Sequence, residues 1–126
     1  MHYQSIRNHA AAYQWFRASA EQGNATAQHS LGLNYHHGNG VVIDQVEAVK
    51  WFHKSAEQGY AAAQFALGHC YHKGIGTTLD YVEAIKWLRA SAEQGNDAAQ
   101  YSLGISYYNG QGTTKDHAEA IRWFRS

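Results

Sequence analysis

Two apolar stripes alternate along the chain, and each reads as one face of a helix. In the first, alanine, leucine and tyrosine recur four residues apart at Ala27, Leu31 and Tyr35, again at Ala63, Leu67 and Tyr71, and again at Ala99, Leu103 and Tyr107. At 3.6 residues per turn that spacing puts the three side chains on one face. It predicts helices near Ala25 to His37, Ala61 to Lys73 and Asp97 to Asn109. In the second stripe Ala48, Trp51, Phe52 and Ala56, with their equivalents Ala84, Trp87, Leu88 and Ala92, face inward from a helix that opens at an aspartate. Asp44, Asp80 and Asp116 are each followed three residues on by Glu47, Glu83 and Glu119. These carboxylates can accept from the unpaired amides of the first turn, as in a capping box, and suit the positive end of the helix dipole. That role accounts for the acids without catalysis. Gly59 and Gly95 suit left-handed caps at the helix ends, while Asn24 and Asn96 suit the start of the next helix.

The same positions are separated by a constant step. Trp15, Trp51, Trp87 and Trp123 lie 36 residues apart, and Gln28/Gln64/Gln100 and the Gly-x-Gly pairs Gly38/Gly40, Gly74/Gly76 and Gly110/Gly112 keep that period. Fixed-period self-similarity marks a repeat array whose core forms between neighbouring units. The expected architecture is an all-α solenoid of about three helix-turn-helix repeats plus a preceding helix. Its units are 1–23 (partial), 24–59, 60–95 and 96–126 (truncated). Residues near 9–22 form the preceding helix, with Asn8 in the cap position and Ala11 where the other copies have glutamate. Gly32, Gly68 and Gly104 fall inside helices, where glycine costs about 1 kcal/mol relative to alanine, so a close helix crossing is expected there. The Gly-x-Gly loops lack the third glycine and the strand of a dinucleotide site.

The chain has 126 residues, and its ten basic and ten acidic side chains cancel. Lysine and arginine are spread through the sequence, so no basic face for nucleic acid is expected. No stretch resembles a membrane span or a signal peptide, which implies a soluble chain whose compartment stays open. The helix carrying Trp123 stops about one turn short of the Glu-Gln-Gly that ends the other copies, which is compatible with a piece of a longer protein. The single cysteine, Cys70, cannot form an internal disulfide and reads as a partly buried structural thiol.

The run Ala63-Gln64-Phe65-Ala66-Leu67-Gly68-x-x-Tyr71-x-x-Gly74-x-Gly76-x-x-x-Asp80-x-x-x-Ala84-x-x-Trp87, closing with Ala92-Glu93-Gln94-Gly95, resembles the Sel-one-like repeat (SLR) family, relatives of the tetratricopeptide repeats. The resemblance extends from about Ala12 to Ser126. It implies a right-handed α/α superhelix that acts as an adaptor or scaffold, as in bacterial host-interaction and signalling systems or in endoplasmic-reticulum quality control. A cysteine-rich branch connected with penicillin binding has a disulfide in each repeat. This chain has neither the cysteine pairs nor a Ser-x-x-Lys, so that implication does not carry over.

Positions that vary between units are where recognition can be written. On the first helices they form a second stripe: His29, Leu33, His36 and His37, then Phe65, His69, His72 and Lys73, then Tyr101, Ile105, Tyr108 and Asn109. Similarity to tetratricopeptide repeats places this stripe on a concave groove. Aromatic, histidine and aliphatic residues fit a protein or peptide partner there, and they equally fit packing between adjacent helices. Histidine titrates near 6.5, so mild acidification is expected to charge His36, His37, His69 and His72. The histidines lack zinc-binding spacing, so no metal or other cofactor is expected. A hydrolase would have to use Cys70 with His69 or His72, and neighbours on a helix point in different directions. No catalytic residue is assigned, and the leading reading is a non-enzymatic interaction module. An architectural alternative uses the ends, Trp15/Phe16 and Trp123/Phe124. With the indole and phenyl rings of the last helix left uncovered, self-association is expected.

Overall fold

A computed structural model describes residues 2–125, with side chains from Ala10 onward. Seven helices follow one another among the described residues: α1 (His2–Glu21), α2 (Ala25–His37), α3 (Gln45–Glu57), α4 (Ala61–Lys73), α5 (Tyr81–Glu93), α6 (Asp97–Asn109) and α7 (His117–Phe124). They form a right-handed α/α superhelix in which each helix packs chiefly on its neighbours in sequence. The six helices from α2 to α7 start where the periodicity places them. The first does not: α1 begins at His2 and passes through Asn8, so Asn8 is not a cap. Ala11 removes the glutamate half of the signal, and no glycine or proline interrupts the run from Ser5 to Ala12.

The aspartates act as amino-caps. Asp44, Asp80 and Asp116 accept from the amides of Glu47, Glu83 and Glu119 at 3.1, 3.1 and 3.0 Å. The glutamate carboxylates lie 3.5, 3.2 and 3.0 Å from Lys50, Lys86 and Arg122. Asn24 and Asn96 cap α2 and α6. Tyr60 holds the equivalent place before α4, makes no capping bond and packs against the core instead.

Each core cluster straddles a junction between units. Trp51 of α3 packs with Ala20 of α1 and Ala27 and Leu31 of α2. Trp87 of α5 repeats this against Ala48, Phe52 and Ala56 of α3 and Ala63 and Leu67 of α4. Trp123 of α7 does so against Ala84, Leu88 and Ala92 of α5 and Ala99 and Leu103 of α6. Each indole therefore faces backwards along the array. This corrects the expectation of a bare indole at the C-terminal end: Trp123 is 8% exposed, because the helices that cover it precede it. Trp15 is the exposed indole, at 66%, with no described helix before α1 to receive it.

The internal glycines mark the crossings within units. A Cβ on Gly32 would stand 2.6 Å from the ring of Phe52, and one on Gly68 would stand 2.9 Å from Leu88. Polar ties join the helices at fixed offsets, the serine bonds within a unit and several glutamine bonds between units. Ser55 and Ser91, both fully buried, donate to the carbonyls of Ala25 and Ala61 at 2.7 Å. Gln58 donates to the Gly23 carbonyl at 2.9 Å and to the Gln28 side chain at 2.8 Å, and Gln28 donates on to Ala20. Gln94, Gly59, Gln64 and Ala56 repeat the relay one unit later. Buried amides that are paired in this way avoid the cost of desolvation.

Candidate functional site

The variable stripe lies on α2, α4 and α6, and its members separate into two groups. His29 and Leu33 are half-buried packing residues. The His29 ring lies 5.8 Å from that of Phe52 and 5.4 Å from that of Tyr60, while Leu33 packs on the core around Trp87. Burial holds the His29 imidazole below its ordinary pKa. His36 is also engaged, through Nδ1 to the Gln45 side chain at 2.7 Å, and its ring lies 4.8 Å from that of His37.

The second group surrounds a cleft of about 170 Å³ between units two and three. His69, His72 and Lys73 of α4 form one wall, and Tyr101, Ser102 and Ile105 of α6 form the other, with Leu88 of α5 between them. Phe65 lies beside it, its ring 6.1 Å from that of His69. Further along α6, Tyr108 and Asn109 are exposed, and the Tyr108 ring stacks on His117 of α7 at 4.5 Å. Tyr101 and Tyr108 are 62% and 52% exposed, a large aromatic area on one helix.

Imidazole chemistry in the cleft differs from the sequence expectation. His69 and His72 both sit below the ordinary value, first through burial and then through Lys73 and a neighbouring histidine. Mild acidification therefore does not charge these two readily. The His72 ring lies 5.2 Å from that of Tyr81, and its Nδ1 is buried without a hydrogen-bond partner. An unpaired buried polar atom costs about 1–3 kcal/mol. Lys73 is exposed and makes no ion pair among the described residues.

Cys70 is 4% exposed, and burial pushes its thiol up to about 11. It stays protonated at neutral pH, unlike a nucleophilic thiolate. Among the described residues no three histidine, cysteine or carboxylate side chains converge as a metal site would require. Leu88, Ser102, Tyr81 and His117 join the face without having been marked by the repeat. Leu88 alternates with Phe52 and Phe124 at its position, so its class signalled packing, and the other three are reached only through tertiary contact.

Helical hairpins stacked at a fixed step, with a varied face and an invariant core, define a helical-repeat solenoid. The chain belongs to the Sel1 repeat family, whose model matches residues 1–24, 25–60, 61–96 and 97–126. Repeats of this family are typically protein-interaction modules and generally form non-enzymatic scaffolds. A Sel1 repeat protein from Oxalobacter formigenes is 43% identical with a TM-score of 0.86 over 90% of this chain and 47% of that one. A protective antigen present in uropathogenic Escherichia coli strains, displaying an SLR fold, is 45% identical with a TM-score of 0.87 over 89% of this chain and 24% of that one. The chain thus spans about half and about a quarter of the lengths of these two proteins. No curated protein matches it. No helix among the described residues is long and apolar enough to cross a membrane.

Proposed function

We propose that this chain is a non-enzymatic interaction module that takes an extended peptide or protein segment across α2, α4 and α6. The observation that carries the reading is the cleft between α4 and α6, flanked by the exposed rings of Tyr101 and Tyr108. Aromatic side chains supply contact area at low entropic cost, and micromolar affinity (about −8 kcal/mol) is typical of a groove of this kind. The opposite helices are less suited to this role, because Lys54 and Lys86 lie over the Trp51 and Trp87 rings at 4.8 Å. Photocrosslinkers placed at Tyr101 and Tyr108 should capture a bound segment, and those placed at Lys54 and Lys86 should not. Capture only from Lys54 and Lys86 would reject the groove.

A second reading concerns the ends. Trp15 presents the surface that Trp51 and Trp87 bury against preceding units, and Ile121 and Phe124 at the other end are 48% and 44% exposed. Two copies in register would bring a backward-facing indole to a forward-facing apolar helix. This reading makes the chain an architectural element that associates head to tail.

A further inference from the structure

The distribution of charge over the fold narrows the partner. Nine of the ten carboxylates lie on α1, α3, α5 and α7 or at their caps, and only Asp97, in the first turn of α6, lies on the helices of the variable face. That face carries one lysine and no arginine: Lys73, at the cleft. Elsewhere Arg17, Lys50 and Lys86 each have a carboxylate within 3.5 Å. Lys73, like Lys54 and Lys115, has none among the described residues, but it alone stands at the cleft, beside His69 and His72, the latter with a buried ring nitrogen lacking a partner. The equivalents of Lys73 in the other units are His37 and Asn109, and those of His69 are Leu33 and Ile105. The one lysine of the face therefore lies in unit two, where the cleft opens. Lys73 and His72 also suit the negative end of the α4 dipole, but that end effect does not reach to His69 or explain the missing acids.

The apolar side of the cleft sets the rest of the specificity. Leu88 and Ile105 offer aliphatic floor next to Lys73, with the exposed Tyr101 ring at the edge. The face continues past the cleft to His36 on one side and Tyr108 on the other, so a crossing segment need not end there.

Resting on the groove reading, we infer that the cleft holds an aspartate or glutamate side chain of an extended partner segment, with Lys73 as its counter-charge and an adjacent aliphatic or aromatic residue on Leu88 and Ile105. An ammonium with no internal carboxylate is a point charge that complementarity rewards. Ser102 offers a further hydroxyl donor from the facing helix.

The test uses degenerate nonapeptides, acetylated and amidated, with a central Asp/Glu, Asn/Gln or Lys, selected on the full chain. Acidic peptides with an aliphatic or aromatic neighbour should be enriched. Changing the central glutamate to glutamine in a selected peptide should weaken binding at least ten-fold. K73E should reverse the preference toward the central-lysine pool, and K73Q should abolish the acidic preference with circular dichroism unchanged. If selected peptides lie on the face by amide shift mapping but show no acidic preference, or if K73E leaves the preference intact, the carboxylate assignment is overturned while the groove survives. A preference confined to peptides with a free C-terminus overturns the side-chain assignment in the same way. Peptides that map only to α3 and α5, or a selection that yields no binder, overturn the groove reading as well.

Discussion

The backbone of Gly76, in the loop of unit two, lies directly against the carbonyl of Gln45 at the start of α3 in unit one, leaving no room for a Cβ. Gly112 and Tyr81 repeat the contact one unit later. The second glycine of each Gly-x-Gly thus belongs to a junction between units as much as to its own turn. Gly76 has a φ of 72°, and Gly95, at 91°, has open space around its Cβ direction. Left-handed backbone alone costs an alanine about 1–2 kcal/mol. Gly95→Ala should lose about that amount in urea denaturation, and Gly76→Ala should lose clearly more. Equal losses would show that the junction yields to the methyl group.

The four tryptophans should separate by position, although the sequence presents them as equivalents. Trp87→Ala deletes a buried ring that joins α5 to unit one and should cost about 3–5 kcal/mol, enough to disrupt an array this short. Trp15→Ala removes a ring that is two-thirds exposed, and the melting temperature should change by only a few degrees. A folded Trp87→Ala variant of near-native stability would contradict the core assignment.

Ser91→Ala removes the fully buried donor to the Ala61 carbonyl and sets a methyl group beside that half-buried acceptor. The expected loss is about 1–3 kcal/mol, measured by chemical denaturation. Ser102, half-buried at the cleft where Ser91 is fully buried, should lose well under half as much on the same change.

Stability should fall on the acid side in a defined window. His29, His69 and His72 are all held below the ordinary imidazole value by burial first, so the unfolded chain takes up their protons more readily. Their contribution is fully present above about 6.5 and is lost as pH falls from there through the depressed native values. The urea midpoint should be flat from pH 8 to 7 and decline toward pH 5. His29→Phe should shallow that decline, since a phenyl ring fits between Phe52 and Tyr60 without titrating. A midpoint that rises on acidification would reverse the sign of this linkage.

Phe124→Glu should reduce self-association without loss of helicity. The Phe124 ring lies 5.7 Å from that of Tyr101 and covers the approach to Gly104, so part of its area is engaged within the chain. Sedimentation should show concentration-dependent association of the parent chain, weakened in the variant. A strict monomer to near-millimolar concentration would reject end-to-end docking.

Helices, caps and the core stripes were legible in the sequence because local rules repeat three times and agree. A 3.6-residue stripe, an aspartate cap and an interior glycine each have one physical reading, and their copies remove ambiguity. Asn8 and Trp123 went otherwise for opposite reasons. Asn8 lacked the second residue that would have stopped an alanine-rich helix, and Trp123 is covered by helices before it, a direction that periodicity does not encode. The cleft was half legible. His69, His72, Lys73, Tyr101 and Ile105 stood out by varying, but His29 and Leu33 varied in the same stripe and turned inward. Which member of a stripe faces a cavity depends on the size of its neighbours in the next unit, and Leu88 where other units carry phenylalanine is one such difference.

The relay of glutamine bonds between units has a consequence for inheritance. Gln28 to Ala20, Gln64 to Ala56 and Gln100 to Ala92 are chemically the same joint, as are Gln58 to Gly23 and Gln94 to Gly59. A gene that gained or lost one in-frame copy by unequal crossing-over would therefore encode a chain whose remaining joints still fit. Excision of 60–95 would place Asn96 after Gly59 in an unchanged type of junction, and would remove Lys73 and its two histidines together. Length and partner preference could change in a single recombination, while the joints themselves needed no new residue.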